Sequence, residues 1–234
     1  MTVKIRLFIV LTALVLAIAS VSAVSAEEAY TFGVEEGFAF KEETDIASIE
    51  ISVPRVSGMA DENDRIRLNA HFLEKKDEIL ADYERNTEMA KANYPDGNGP
   101  HFEYKYSWEV ITDDDEHFVI WTTYFFAAGS AGTQNEFFNL NKKTGKLMDF
   151  DEDAVTSLEE MAKIRGQIFQ SMSNANAAGR ADFWTEGDAL DVQLGQVRYL
   201  NHWYYNKNGD LVIAFDGAEV APASMGTVYF VIEK

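Results

Sequence analysis

Apolar positions recur along this chain with two different periods. Ile46, Ile49, Ile51 and Val53 predict a first strand, Ala47–Val53, which Pro54 ends because proline cannot donate to a ladder. A helical stripe then runs through Ile66, Leu68, Ala70, Phe72, Leu73, Ile79, Leu80 and Tyr83. Asp61 or Asn63 can cap this helix, which extends to about Ala92. The breaker Pro95-Asp-Gly-Asn-Gly-Pro100 closes the helical segment.

Alternation returns after the breaker. His101–Thr112 places Phe102, Tyr104, Tyr106 and Trp108 on one face, and Asp113–Glu116 makes a charged turn. Phe118–Phe126 is a strongly apolar strand, Ala127–Gly132 a small-residue loop, and Thr133–Leu140 the returning strand. Asn141–Gly145 reads as a hairpin turn, with Lys146–Phe150 continuing the meander.

A second helix is predicted from about Asp151–Asp153 to Met172, with Leu158, Met161, Ile164, Ile168 and Phe169 near one face. Ser173–Asp182 reads as a mobile loop. Val197–Tyr205, the turn Asn206–Gly209 and Leu211–Phe215 predict a hairpin, with Asn-Gly signalling a type I′ turn. Gly226–Ile232 is the last strand. The class is α+β: antiparallel sheet meanders with two main helices packed on the sheet. Expected boundaries are a leader over 1–26, an acidic, loosely ordered arm over 27–44, a first half over 45–145 and a second over 146–234, the halves forming one compact unit.

The leader is read from its order of segments. A basic start with Lys4 and Arg6 precedes the apolar run Leu7–Ala19, and Val24-Ser25-Ala26 offers small residues at a cleavage site. The alternative is a retained anchor, since a bilayer crossing takes about 20 apolar residues. The Ala, Ser and Val of the second half favour cleavage, leaving an exported protein, periplasmic or extracellular, without a membrane contact.

Charge narrows the partners. The chain carries 39 acidic against 20 basic side chains, a net −19, and losing Lys4 and Arg6 with the leader increases the acidic excess. Such a surface repels nucleic acid and anionic lipid, and attracts cationic partners at rates that fall with salt. The absence of cysteine excludes disulfides, thiol nucleophiles and thiolate metal sites.

No catalytic motif emerges. Gly129-Ser130-Ala131-Gly132 lacks the spacing of a hydrolase nucleophile turn, and the histidines 71, 101, 117 and 202 form no metal-binding pattern. Asp149-Phe-Asp151-Glu-Asp153 with Glu160 imitates a calcium loop, but Ala154 stands where that loop needs glycine, so a helix start is the better reading. No cofactor or metal is expected. A carboxylate pair facing a cleft is the alternative, making a cell-wall hydrolase or wall-modifying enzyme, but no motif selects one pair among so many acids.

Two stretches carry a resemblance. Thr122-Thr-Tyr124-Phe-Phe-Ala-Ala128-Gly-Ser130-Ala-Gly132, followed by Phe137-Phe-Asn-Leu-Asn-Lys-Lys-Thr-Gly-Lys146, is the first. Asn208-Gly-Asp-Leu-Val-Ile-Ala-Phe215, then Glu219-Val-Ala221-Pro222-Ala-Ser-Met225-Gly226, is the second. Together they resemble the extracytoplasmic domain of RsiV-type anti-sigma factors, a unit also found ahead of some peptidoglycan deacetylase domains. The likeness spans about residues 46–232.

The resemblance implies a non-catalytic envelope binding or sensor module whose ligand is a cationic protein such as lysozyme, or a peptidoglycan glycan. The family loop commonly reads Gly-Gly-Ala-His-Gly; here Ala128, Ser130 and Ala131 replace its first glycine, its alanine and its histidine. Only Met1–Arg6 precede the apolar run, so the expectation is a sensor unit without a sigma-binding segment. The candidate binding residues are Tyr124, Ala128, Gly129, Ser130 and Gly132 in the first stretch, and Ala221, Pro222, Met225 and Gly226 in the second. Gly129 and Gly132 permit close backbone approach, and Ala221-Pro222 stiffens the path to Gly226.

Overall fold

The computed structural model describes residues 29–233; the predicted leader, residues 1–26, lies outside them. Six strands form the larger sheet in the order β1 (Gly33–Glu43), β2 (Ala47–Ser57), β3 (Phe102–Asp113), β4 (His117–Ala127), β5 (Ala131–Asn141) and β6 (Lys146–Leu147). A smaller sheet holds β7 (Trp203–Tyr205), β8 (Leu211–Phe215) and β9 (Val228–Val231). Helix α1 (Glu62–Asn93) joins β2 to β3, while α2 (Leu158–Ala177) and α3 (Ala189–Gln196) precede the small sheet.

Every pairing is antiparallel except β2 with β3, which run parallel from Ala47↔Phe102 to Ile51↔Tyr106. The long crossover through α1 brings the chain back to the same end of the sheet, as a parallel pair requires. The sheet is therefore mixed where a purely antiparallel meander was expected, within an unchanged α+β class.

Alternation along β4 and β5 sends side chains to two cores. Phe72, Ile79 and Tyr83 of α1 pack with Ile49, Ile51, Tyr104, Tyr106, Ile120 and Phe138 on one face. Val119 and Phe137 face the other way and meet Ala214 of β8, with Phe137 stacked on Tyr204 at 4.6 Å. The far face of the small sheet (Trp203, Ile213, Phe215, Phe230) closes on Ile164, Ile168 and Met172 of α2 and on Leu190 and Leu194 of α3. The order of layers is α1, large sheet, small sheet, then α2 with α3.

Several expectations are corrected. The stretch read as a loosely ordered arm contains β1, the outer strand of the large sheet; a bulge at Gly37 interrupts its alternation, so Val34, Phe38 and Phe40 reach the core out of simple period. Strand β2 does not end at Pro54 but runs to Ser57. Its ladder with β3 stops at Ile51, so the missing N–H costs that ladder nothing, and Asn69 of α1 bonds the Val56 amide (2.8 Å) and carbonyl (3.0 Å) instead.

Helix α2 starts at Leu158, not within the acidic run. Asp149 accepts from the amides of Asp151 (2.8 Å) and Glu152 (3.2 Å), closing a separate turn over Phe150–Ala154. Ser157 then caps the Glu160 amide at 3.2 Å, while Glu160 reaches back to the Thr156 amide at 2.9 Å. The helix continues to Ala177, through residues expected to be a mobile loop. The predicted strand Val197–Tyr205 is mostly a turn after α3 and is extended only at Trp203–Tyr205; the meander after Gly145 likewise stops at Leu147. The β7–β8 turn is not type I′, because only Gly209 in it has positive φ (72°) and the Asn206 side chain accepts from the Asn208 and Asp210 amides. Among the described residues no helix is long and apolar enough to cross a membrane.

Candidate functional site

Beyond its short pairing with β6, strand β5 has an outer edge toward its start. Edge amides invite strand addition and need partners. The Phe137 amide donates to the Asn201 carbonyl at 2.8 Å, and the Asn135 amide donates to Asp216 Oδ2 at 2.9 Å. Both acceptors come from the second half of the chain. Strand β7 is served reciprocally: Asn139 Nδ2 donates to the Trp203 carbonyl (2.9 Å), and its Oδ1 accepts from the Tyr205 amide (3.1 Å).

Asp216 anchors a buried polar cluster. Its Oδ1 accepts from Thr227 Oγ1 at 3.1 Å and from the Asn135 side-chain amide. Trp121 Nε1 donates to Asn135 Oδ1 at 2.8 Å, orienting that amide. His202 lies between two carboxylates, with Nε2 at 3.5 Å from Asp216 and Nδ1 at 3.4 Å from Glu219. Burial disfavours the imidazolium, but the bonds to Asp216 and Glu219 outweigh it and push the His202 pKa up to about 9. Asp216 is held below the usual carboxylate range: burial opposes its charge, and His202 and Asn135 more than compensate.

Glu219 also accepts from the Asp216 amide at 2.8 Å, closing a tight loop in which Ala218 has φ 69°. A non-glycine residue in the left-handed region is uncommon and marks a conformation imposed by its surroundings.

An open cleft of about 530 Å³ lies where this loop meets the start of β5. Tyr124, Phe126, Gly132, Thr133 and Gln134 form one wall, and Asp216, Gly217, Glu219, Ala223, Gly226 and Thr227 the other. A chamber of about 330 Å³ shares Tyr124, Gln134, Asp216 and Glu219 with it and runs under α1, where Lys75, Tyr106, Thr122 and Glu136 line it beside Tyr199 and His202. Burial pushes the Tyr124 hydroxyl up to about 12, so it stays neutral. Lys75 Nζ sits 5.4 Å from the Tyr124 ring centroid and donates to Gln134 Oε1 at 3.2 Å. His71 meets Glu136 at 3.0 Å, and that bond raises the imidazole pKa against the effect of burial.

Of the sequence candidates, Tyr124, Gly132 and Gly226 border the cleft together. Ala128, Gly129 and Ser130 form the β4–β5 hairpin tip and do not line it. Ala221 is buried, Pro222 precedes the short turn Ala223–Met225, and neither Pro222 nor Met225 lines the cleft. Sequence reasoning missed Asp216, Glu219, His202, Asn135 and Tyr106. The one local sign was a charge at Asp216 directly after the apolar run Leu211–Phe215.

The chain is similar to the anti-sigma-V factor RsiV of Bacillus subtilis (strain 168), with 24% identity over 197 residues, 82% of this chain. It spans 65% of that relative's length. The resemblance read from the sequence thus holds over most of the chain. No protein-family model matches. Among solved structures, a DUF3298 family member from Bacteroides fragilis aligns with a TM-score of 0.55 at 11% identity, covering 88% of this chain and 91% of that one. A DUF3298 family protein from Pseudomonas aeruginosa PAO1 aligns with a TM-score of 0.51 at 15% identity, covering 86% and 90%. These two likenesses establish the shared fold.

Proposed function

We propose that this chain is an exported, non-catalytic binding module of the cell envelope that holds a cationic protein, such as lysozyme, at the cleft beside β5. The similarity to an anti-sigma factor supports a sensor-like domain. The observation that carries the reading is the cleft itself: Asp216 and Glu219 face Tyr124 and Phe126 across it, in a chain of net charge −19. Carboxylates beside aromatic faces suit ammonium and guanidinium groups, and the acidic surface speeds encounter. Asp216 and Glu219 are each engaged by His202 and by backbone amides, which favours holding over proton transfer.

The aromatic wall favours a second reading, a peptidoglycan glycan stacked on Tyr124 and Phe126. Retention of lysozyme and of sacculi on the immobilised protein separates the two. Lysozyme held at low salt and released as salt rises is the expected result. Retention of sacculi alone selects the glycan, and retention of neither overturns both.

A further inference from the structure

The inner chamber holds a group that no other contact explains. Tyr106 is 1% exposed and lines the chamber, and its hydroxyl lies near Thr122 without meeting hydrogen-bond geometry to any group among the described residues. A buried hydroxyl left unpaired is costly, and such groups are few in native folds. Burial also holds this phenol well above its ordinary pKa, so it is a neutral donor and acceptor.

The chamber's other walls define what it can take. Glu136 engages His71 through Oε1, and Glu219 engages His202 and the Asp216 amide through Oε2. Each leaves its second oxygen without a hydrogen bond among the described residues. Tyr124 adds an aromatic face, and the chain's own Lys75 ammonium already lies over that ring, 5.4 Å from its centroid. Acceptors spread over several walls, an aromatic ring and an internal ammonium describe a site for a cation with several N–H donors. A guanidinium on an alkyl stem fits about 330 Å³.

We infer that this chamber is a pocket for one protruding arginine or lysine side chain of the partner, bound by Glu136, Glu219 and the Tyr106 hydroxyl, with Lys75 as the internal cation that must move aside. The inference deepens the cationic-partner reading and rests on it.

The test titrates the protein with acetyl-Gly-Arg-Gly-amide, its citrulline counterpart and an N-acetylglucosamine tetramer, reading the backbone amide shifts of Gln134 and Glu136. The arginine peptide should shift them, with the citrulline peptide about tenfold weaker, the loss of one charge-assisted contact. Tyr106→Phe should weaken the arginine peptide severalfold, with Glu136→Gln as the substitute if that variant does not fold. Lys75→Met should strengthen binding, whereas Lys163→Met, the same charge change on exposed α2, should not. Equal binding of the citrulline peptide, shifts from the sugar alone, or no shift at all overturns the pocket. Lysozyme retained by the Tyr106→Phe and Glu136→Gln variants at unchanged affinity also removes the pocket while leaving the broader reading intact. Peptide binding without lysozyme retention keeps the pocket and removes that partner.

Discussion

The backbone amide of Asn135 donates to the carboxylate of Asp216 at 2.9 Å, and the Asn135 side-chain amide reaches the same carboxylate. One acidic side chain from the end of β8 thereby closes an edge of the large sheet, holds His202 beneath it and forms part of the cleft wall. Stability and site geometry depend on the same group.

Asp216→Ala should lower unfolding stability by about 3 kcal/mol, because it strands the imidazolium of His202 and a buried edge amide while Glu219 still faces the histidine. Urea unfolding measures this. A loss below about 1 kcal/mol would show that the cluster contributes little beyond a surface pair.

Stability should depend on pH through the same cluster. His202 has a folded pKa of about 9, above its ordinary 6.5, so its proton favours the fold. That contribution is full below about pH 6.5, declines from there to about 9 and is absent above. His71, also raised, acts in the same direction. Asp216, held below its ordinary 3.8, contributes above that value and loses its contribution as pH falls through the folded pKa. Urea midpoints should therefore be highest at weakly acidic pH and fall towards pH 9. An NMR titration of the His202 ring with a midpoint near 6.5 would contradict the assignment.

Phe72 of α1 is fully buried and meets Phe138 of β5 edge-on, with ring centroids 4.9 Å apart. Phe72→Ala should cost about 3–5 kcal/mol, the transfer and cavity terms of a large core truncation. Leu158, 91% exposed at the start of α2, should tolerate serine within about 0.5 kcal/mol. Similar losses for both would mean that the α1 face is not the core it forms here.

Gly132 separates binding from folding. It lines the cleft, its φ is not positive, and an added Cβ would meet nothing within 4 Å. Gly132→Val should keep the thermal midpoint, since valine suits a strand, and weaken lysozyme retention by filling the cleft. Gly58→Ala supplies the contrast: at φ 81° its Cβ would lie 2.1 Å from the Thr31 carbonyl oxygen, so it should lower stability clearly. Undiminished retention by Gly132→Val would place the partner elsewhere.

The sequence by itself determined what depends on neighbours along the chain. The 3.6-residue stripe behind Asp61 or Asn63 gave α1, two-residue alternation gave β3, and a continuous apolar run with a small-residue loop after it gave β4 and the returning β5. Of the nine residues drawn from the two stretches that carry the resemblance, Tyr124, Gly132 and Gly226 border one cleft, and Ala128, Gly129, Ser130, Ala221, Pro222 and Met225 do not line it. Strand β1 stayed hidden because Glu35, Glu36, Glu42 and Glu43 make it polar and the Gly37 bulge breaks its period. Only the tertiary structure decided that β2 and β3 run parallel, that Asp216 caps β5, and that His202 lies between two carboxylates. Those relationships join residues far apart in the chain, and no local period records them. The charge of a buried histidine and the unmet hydroxyl of Tyr106 exist only once both sheets have closed around them, because desolvation and pairing are properties of the packed interior.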